Sequence, residues 1–133
     1  MSLPKSFIVG SLSVNAAMAT ALEQDEVLSL ISSEVIHRAS VAARNDIAFG
    51  EQVMVSMFLS MPSQAKQRVA SILLGRCFVT GTERKISVAE FQGKMVDYNT
   101  LLAQLTLWNF EDFFTYLSDA VKNAAPSPDV TAP

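Results

Sequence analysis

Hydrophobic positions along the chain change their spacing several times, and each change marks an element. Residues 6–14, SFIVGSLSV, are rich in β-branched and small side chains, and Phe7, Val9 and then Leu12 or Val14 can line one side of a short strand. From Val14 the spacing becomes helical: Val14, Ala17, Met18, Ala21 and Leu22 recur on one face. The stretch EQDEVLSLISSEVIHRASVAAR continues it through Val27, Leu28, Ile31, Val35, Ala39 and Ala42. Its acidic residues (Glu23, Asp25, Glu26) come early and its basic ones (His37, Arg38, Arg44) late, the order a helix dipole favours. This predicts a helix over 24–44, with 14–22 either a separate helix or its continuation.

Asn45 and Asp46 can end that helix and cap the next. GEQVMVSMFLSM then puts Val53, Met54, Met57, Phe58 and Met61 on one stripe. Pro62 interrupts the stripe and suits the first turn of a new helix over 62–74, with Gly75 as its C-terminal cap. RCFVTGTERKIS reads as two β-like arms, 76–80 and 83–87, around Gly81-Thr82. Glycine at the first central position fits a type II′ hairpin turn. A lone hairpin needs support, which the N-terminal strand can give.

Ser87 and Glu90 form a capping-box pattern. Val88, Phe91, Met95, Tyr98, Leu102 and Leu105 then step by alternating threes and fours, the cleanest periodicity in the chain, although Gly93 lies inside it. Asn109 can cap a last helix. On that helix Phe110, Phe113, Phe114, Leu117 and Val121 share a face about 100° wide. The chain ends in NAAPSPDVTAP, read as a flexible Pro/Ala-rich tail over 124–133. The fold class expected is mainly α, about five helices with a small β-hairpin or short sheet, as one domain over 1–123. Its expected core includes Leu28, Ile31, Val35, Val53, Met57, Val69, Leu73, Phe91, Met95, Leu102, Leu105, Phe113, Phe114 and Leu117.

Composition adds a bias toward binding. Of 133 residues, 50% are hydrophobic and 17% charged, which is below the usual quarter. So apolar and charge-poor a small domain has more apolar surface than one core hides. This favours self-association or a docked partner over a plain monomer. The net charge is −3 and no basic run occurs, which argues against nucleic-acid binding. One cysteine, Cys77, permits no internal disulfide and fits a reducing, cytoplasmic compartment. The apolar FIVG run is too short and too interrupted for an export signal, and no stretch reaches the length of a membrane span.

Candidate chemistry is thin. A Cys–His or Ser–His–Asp site would have to use His37, the only histidine, which sits mid-helix beside Arg38. Cys77 lies in an apolar stretch with no base nearby in sequence. One Cys and one His cannot make a structural zinc site, and EQDE lacks the loop spacing and glycine of a calcium site. No phosphate-loop or dinucleotide motif occurs. No catalytic residue, cofactor or metal is therefore expected. Five of the eleven aromatic residues fall within WNFEDFFTY (108–116), and their ordered stripe fits a core face and a partner groove alike. Methionine-rich faces adapt to varied partners. The candidate contact residues are thus Trp108, Phe110, Met54, Met57, Phe58 and Met61.

The tract ISVAEFQGKMVDYNTLLAQLTLWNFEDFFTYLSDAV, followed by NAAPSPDVTAP, resembles in layout the tail assembly chaperones of long-tailed bacteriophages. The likeness covers about a third of the chain and carries no diagnostic motif. It implies a protein of the infected cell's cytoplasm that is left out of the virion. Such a protein self-associates and coats the hydrophobic, helical tape-measure protein before the tail tube polymerises around it. Two other classes are consistent with the residues. One is a small virion or other structural subunit of fixed oligomeric state. The other is an immunity or antitoxin-type inhibitor, which the small negative charge does not favour.

Overall fold

In a computed structural model, which describes residues 3–124, the protein is mainly α with a small antiparallel sheet. The flexible tail expected at the C-terminus lies outside the described residues from 125 onward, and residue 124 still belongs to a helix. The chain opens with a hairpin, β1 (Lys5–Val9) and β2 (Leu12–Ala16). Helices α1 (Ala21–Arg44), α2 (Glu51–Ser60) and α3 (Ser63–Leu74) follow. A third strand, β3 (Cys77–Val79), a 3₁₀ turn (Val88–Phe91), α4 (Met95–Asn109) and α5 (Glu111–Ala124) complete the described fold.

Of the helix expected over 14–22, only Ala21 and Leu22 are helical, as the first residues of α1. Leu12–Ala16 is instead the central strand of the sheet, paired with β1 on one side and β3 on the other. Pairing on two sides outweighs a local helical spacing that is only two turns long. The turn between β1 and β2 has just two residues, Gly10 and Ser11, and Gly10 takes φ 59°, as the primed hairpin turns require. The register puts Phe7, Val9, Val14, Ala16 and Cys77 on the buried face. The outer face is mostly polar, with Ser6 donating to Asn15 and Ser13 paired with Thr80.

Thr20, not a residue near 14, starts α1. Its hydroxyl accepts from the Glu23 N–H, and the Glu23 carboxylate accepts from the Thr20 N–H, a capping box. The same carboxylate accepts from Arg76 Nε at 2.7 Å and ties the start of α1 to the α3–β3 junction. At its other end α1 closes through two hydrogen bonds, Asp46 N to Ala43 O and Ile47 N to Ala42 O, with Asp46 left-handed at φ 56°. This is a Schellman motif with aspartate where glycine is usual. Asp46 therefore ends α1 as expected but does not cap α2, whose N-cap is Gly50.

The 76–87 region also departs from expectation. The Thr82 N–H donates to Val79 O, which makes Gly81, at φ 79°, the second central residue of the turn and not the first. The second arm forms only a single bridge, Phe78 with Lys85. The predicted long helix from Val88 is broken as well. The Ser87–Glu90 capping box forms but starts only the 3₁₀ turn. Gly93, at φ 77°, then takes the chain out of helical geometry before α4 begins. As a result Met95, an expected core residue, is 46% exposed.

Helix α4 is the axis of the fold. It packs against α2, α3, α5, β1 and the 3₁₀ turn, so it is buried nearly all round and not along one stripe. Its buried polar side chains bond back to the helix: Thr106 Oγ1 to Leu102 O at 2.7 Å and Asn99 Nδ2 to Met95 O at 2.7 Å. Asn109 is the last residue of α4, not the cap of α5. Its Nδ2 donates to Leu105 O, and its Oδ1 accepts the buried N–H of Ala19 at 2.9 Å. The expected core is otherwise largely present. Ile31, Val35, Met57, Val69, Leu73, Phe91, Leu102, Leu105 and Leu117 are buried, while Leu28, Val53, Phe113 and Phe114 are only partly so.

Two outcomes are expected. Asn109→Ala leaves the Ala19 N–H buried without a partner and should lower stability by about 1–3 kcal/mol, read as a shifted urea midpoint at constant m-value. An unshifted midpoint would mean that Ala19 finds another acceptor. The second concerns acid. The Arg76 guanidinium holds the Glu23 carboxyl below its ordinary 4.5. A depressed carboxyl contributes stability that is fully present above 4.5 and is lost as pH falls through the lowered value. Glu23→Gln should therefore be less stable than the parent at neutral pH, and the gap should close on acidification in parallel urea titrations.

Candidate protein-binding groove

Helix α5 is the most clearly amphipathic element, and its apolar stripe falls where the sequence places it except at Phe110, which is the C-cap of α4. Leu117 is buried and Phe113, Phe114 and Val121 are half-buried, whereas Glu111, Asp112, Thr115, Tyr116, Ser118 and Asp119 are exposed. The stripe is wider than α1 can cover. A groove of about 550 Å³ is left between α5, the C-terminal turns of α1 and the 46–49 segment. Its walls include Phe49, Phe114, Leu107, Val121 and Ile47. Phe49 stacks on Phe114 with ring centroids 5.8 Å apart, and Phe113 meets Phe114 edge-on at 5.3 Å. The Schellman end of α1 throws Ile47 outward, where it is 57% exposed. Asp46 and Lys122 put one charge of each sign among the lining residues.

The residues singled out from sequence are spread over several environments. Met54, Met57 and Phe58 are fully buried where α2 packs against α4, and Phe110, the C-cap of α4, is buried as well. As placed, these four offer no surface to a partner. Their regular spacing reflects the α2–α4 interface, because the same stripe serves a core and a groove equally well. Met61 is half-buried at the end of α2. Trp108 is half-buried and lies edge-on to Phe7 with ring centroids 5.6 Å apart. It faces a shallow, polar recess shared with Lys5, Ile8, Glu51 and Gln104. Only Trp108 and Met61 keep some access to solvent.

The groove residues Ile47 and Phe49 were not singled out by sequence. They sit in the non-periodic stretch NDIAFG, where two large apolar side chains in a six-residue loop were the available signal. The two reactive side chains lie in different settings. His37 is exposed on α1. Cys77 is buried in β3, its thiol donates to Leu73 O at 3.3 Å, and burial pushes its pKa up to about 12, so it stays a protonated thiol. No helix among the described residues is long and apolar enough to cross a membrane. Comparison with protein-family models, with curated proteins and with solved structures gives no match.

The difference between core and groove predicts opposite responses. Phe58→Ala empties a fully buried site and should cost about 3–5 kcal/mol. Ile47→Asp alters an exposed side chain and should move stability by no more than about 0.5 kcal/mol. Thermal or urea unfolding of the two variants checks both, and a comparable loss in each would place Ile47 in the core.

Proposed function

We propose that the chain is a non-catalytic, self-associating protein-binding protein. Its reading follows the resemblance to phage tail assembly chaperones, whose client is the helical tape-measure protein. The observation that supports the reading is the α1–α5 groove. It is apolar and open, and Phe49 and Phe114 lie on its walls. An amphipathic helix laid along such a groove buries its own apolar stripe and stays in solution, which is what a client with long apolar helices requires. The half-exposed aromatics contribute most of the contact area, and the rim charges at Asp46 and Lys122 are too few to impose a single register. A surface of that kind suits repeated, weakly specific binding along a long client. On this reading the protein acts in the cytoplasm of the infected cell.

Light scattering after size exclusion, over a concentration series with and without a long apolar coiled-coil client, tests the proposal. The expected result is exchangeable oligomers and a client kept in solution by the parent chain. Ile47→Asp and Phe114→Asp, where folded, should lose both properties. A single fixed oligomer that ignores the client would favour a structural subunit. A monomer at every concentration that leaves the client aggregated would end the chaperone reading.

A further inference from the structure

A second cavity, about 510 Å³, lies on another part of the molecule, between one face of α3 and the 85–88 segment, with Tyr98 of α4 among its lining residues. Its volume is in the range of small-molecule sites. Ala70, Leu74, Ile86 and Val88 supply apolar wall. The polar lining is of one kind: two lysines, Lys66 and Lys85, with hydroxyls and an amide, and no carboxylate among the lining residues. The four salt bridges found among the described residues all use arginine, so neither lysine has an acidic partner there.

Lys66 is the informative group. It is half-buried, and its Nζ donates to Asn99 Oδ1 at 3.1 Å. Asn99 is 2% exposed, and its own Nδ2 is held by Met95 O, so the amide fixes where the ammonium sits. A neutral amide is a poor substitute for a counter-ion, and loss of water pushes the Lys66 pKa below its ordinary 10.5. Burial also pushes the Tyr98 pKa up and keeps the phenol protonated. Its hydroxyl makes no hydrogen bond among the described residues, which leaves a donor free at the cavity. A preplaced cation short of an anion thus sits beside apolar wall.

We propose that this cavity binds a small organic carboxylate with an apolar body. The carboxylate pairs with Lys66 and accepts from the Tyr98 phenol. The hydrocarbon part lies against Ala70, Leu74, Ile86 and Val88. The site is separate from the α1–α5 groove, and the inference does not rest on the protein-binding reading.

Titration of the full chain with octanoate, followed by calorimetry and by backbone amide shifts, tests it. The expected result is saturable one-to-one binding, with shifts centred on residues 66–74 and 85–88. Octanol, which has the body without the charge, and inorganic phosphate, which has the charge without the body, should each bind about tenfold or more weakly than octanoate. Lys66→Gln should weaken octanoate by about tenfold or more while circular dichroism stays unchanged. Val88→Asp, at a position 50% exposed on the rim, should weaken it as well and serves if the first variant misfolds. Absence of saturable binding, equal binding of octanol and octanoate, or shifts confined to α5 and the 46–49 segment would each overturn the proposal.

Discussion

The fold depends on how the short segment between the sheet and the first long helix is pinned. Ala17 donates its N–H to Arg76 O, Ala19 donates to the Asn109 side chain, and Gln24 Nε2 donates to Asn109 O. Glu23 then holds the Arg76 side chain. Within eight residues the chain is thus fixed to the α3–β3 junction and to the α4–α5 corner, which lie more than fifty positions away in sequence. The bonds at Ala19 and Asn109 are buried, so water cannot replace a lost partner there. Because β2 enters this segment and α1 leaves it, the angle between the sheet and the helical layer is set there.

Once that angle is fixed, α4 has neighbours on nearly every side and buries more residues than α1, α2 or α3. This placement explains the contrast between α4 and α5. Helix α4 has buried residues around its circumference, including Asn99, Thr106 and Asn109, whose polar groups are satisfied within the helix or at its end. Helix α5 packs from one side only, so its stripe stays distinct and half of it remains open. The two sites proposed above arise from the same geometry. Each is a place where the helical layer fails to close: over α5 in one case, and between α3 and the 85–88 segment in the other.

Much of this was legible in the sequence where a periodic pattern was long and its ends were marked. Helix α1 was read from Val27, Ile31, Val35 and Ala39, and Pro62 correctly divided α2 from α3. Short segments misled. Val14 opens a stretch with helical spacing, yet the backbone of Val14–Ala16 bonds to two partner strands that the local pattern does not contain. Gly93 lies inside the cleanest periodic run, but its left-handed backbone ends one element before the next begins. The candidate contacts were the least legible part. Met54, Phe58 and Phe110 obey the same spacing whether they face α4 or a partner, and only the packed structure separates the two cases. Ile47 and Phe49 belong to no period at all, and their grouping with α5 depends on the end of α1.

Cys77 has a consequence beyond its part in the sheet. It is the chain's single cysteine, fully buried, and its thiol is kept protonated well above neutral pH. An alkylating reagent can reach it only when the contact between β3 and α3 opens, and no second thiol competes for the label. The rate at which this one sulfur is modified is therefore a direct clock for the opening of the core. The molecule carries an intrinsic probe of its own breathing, which can be read without any substitution.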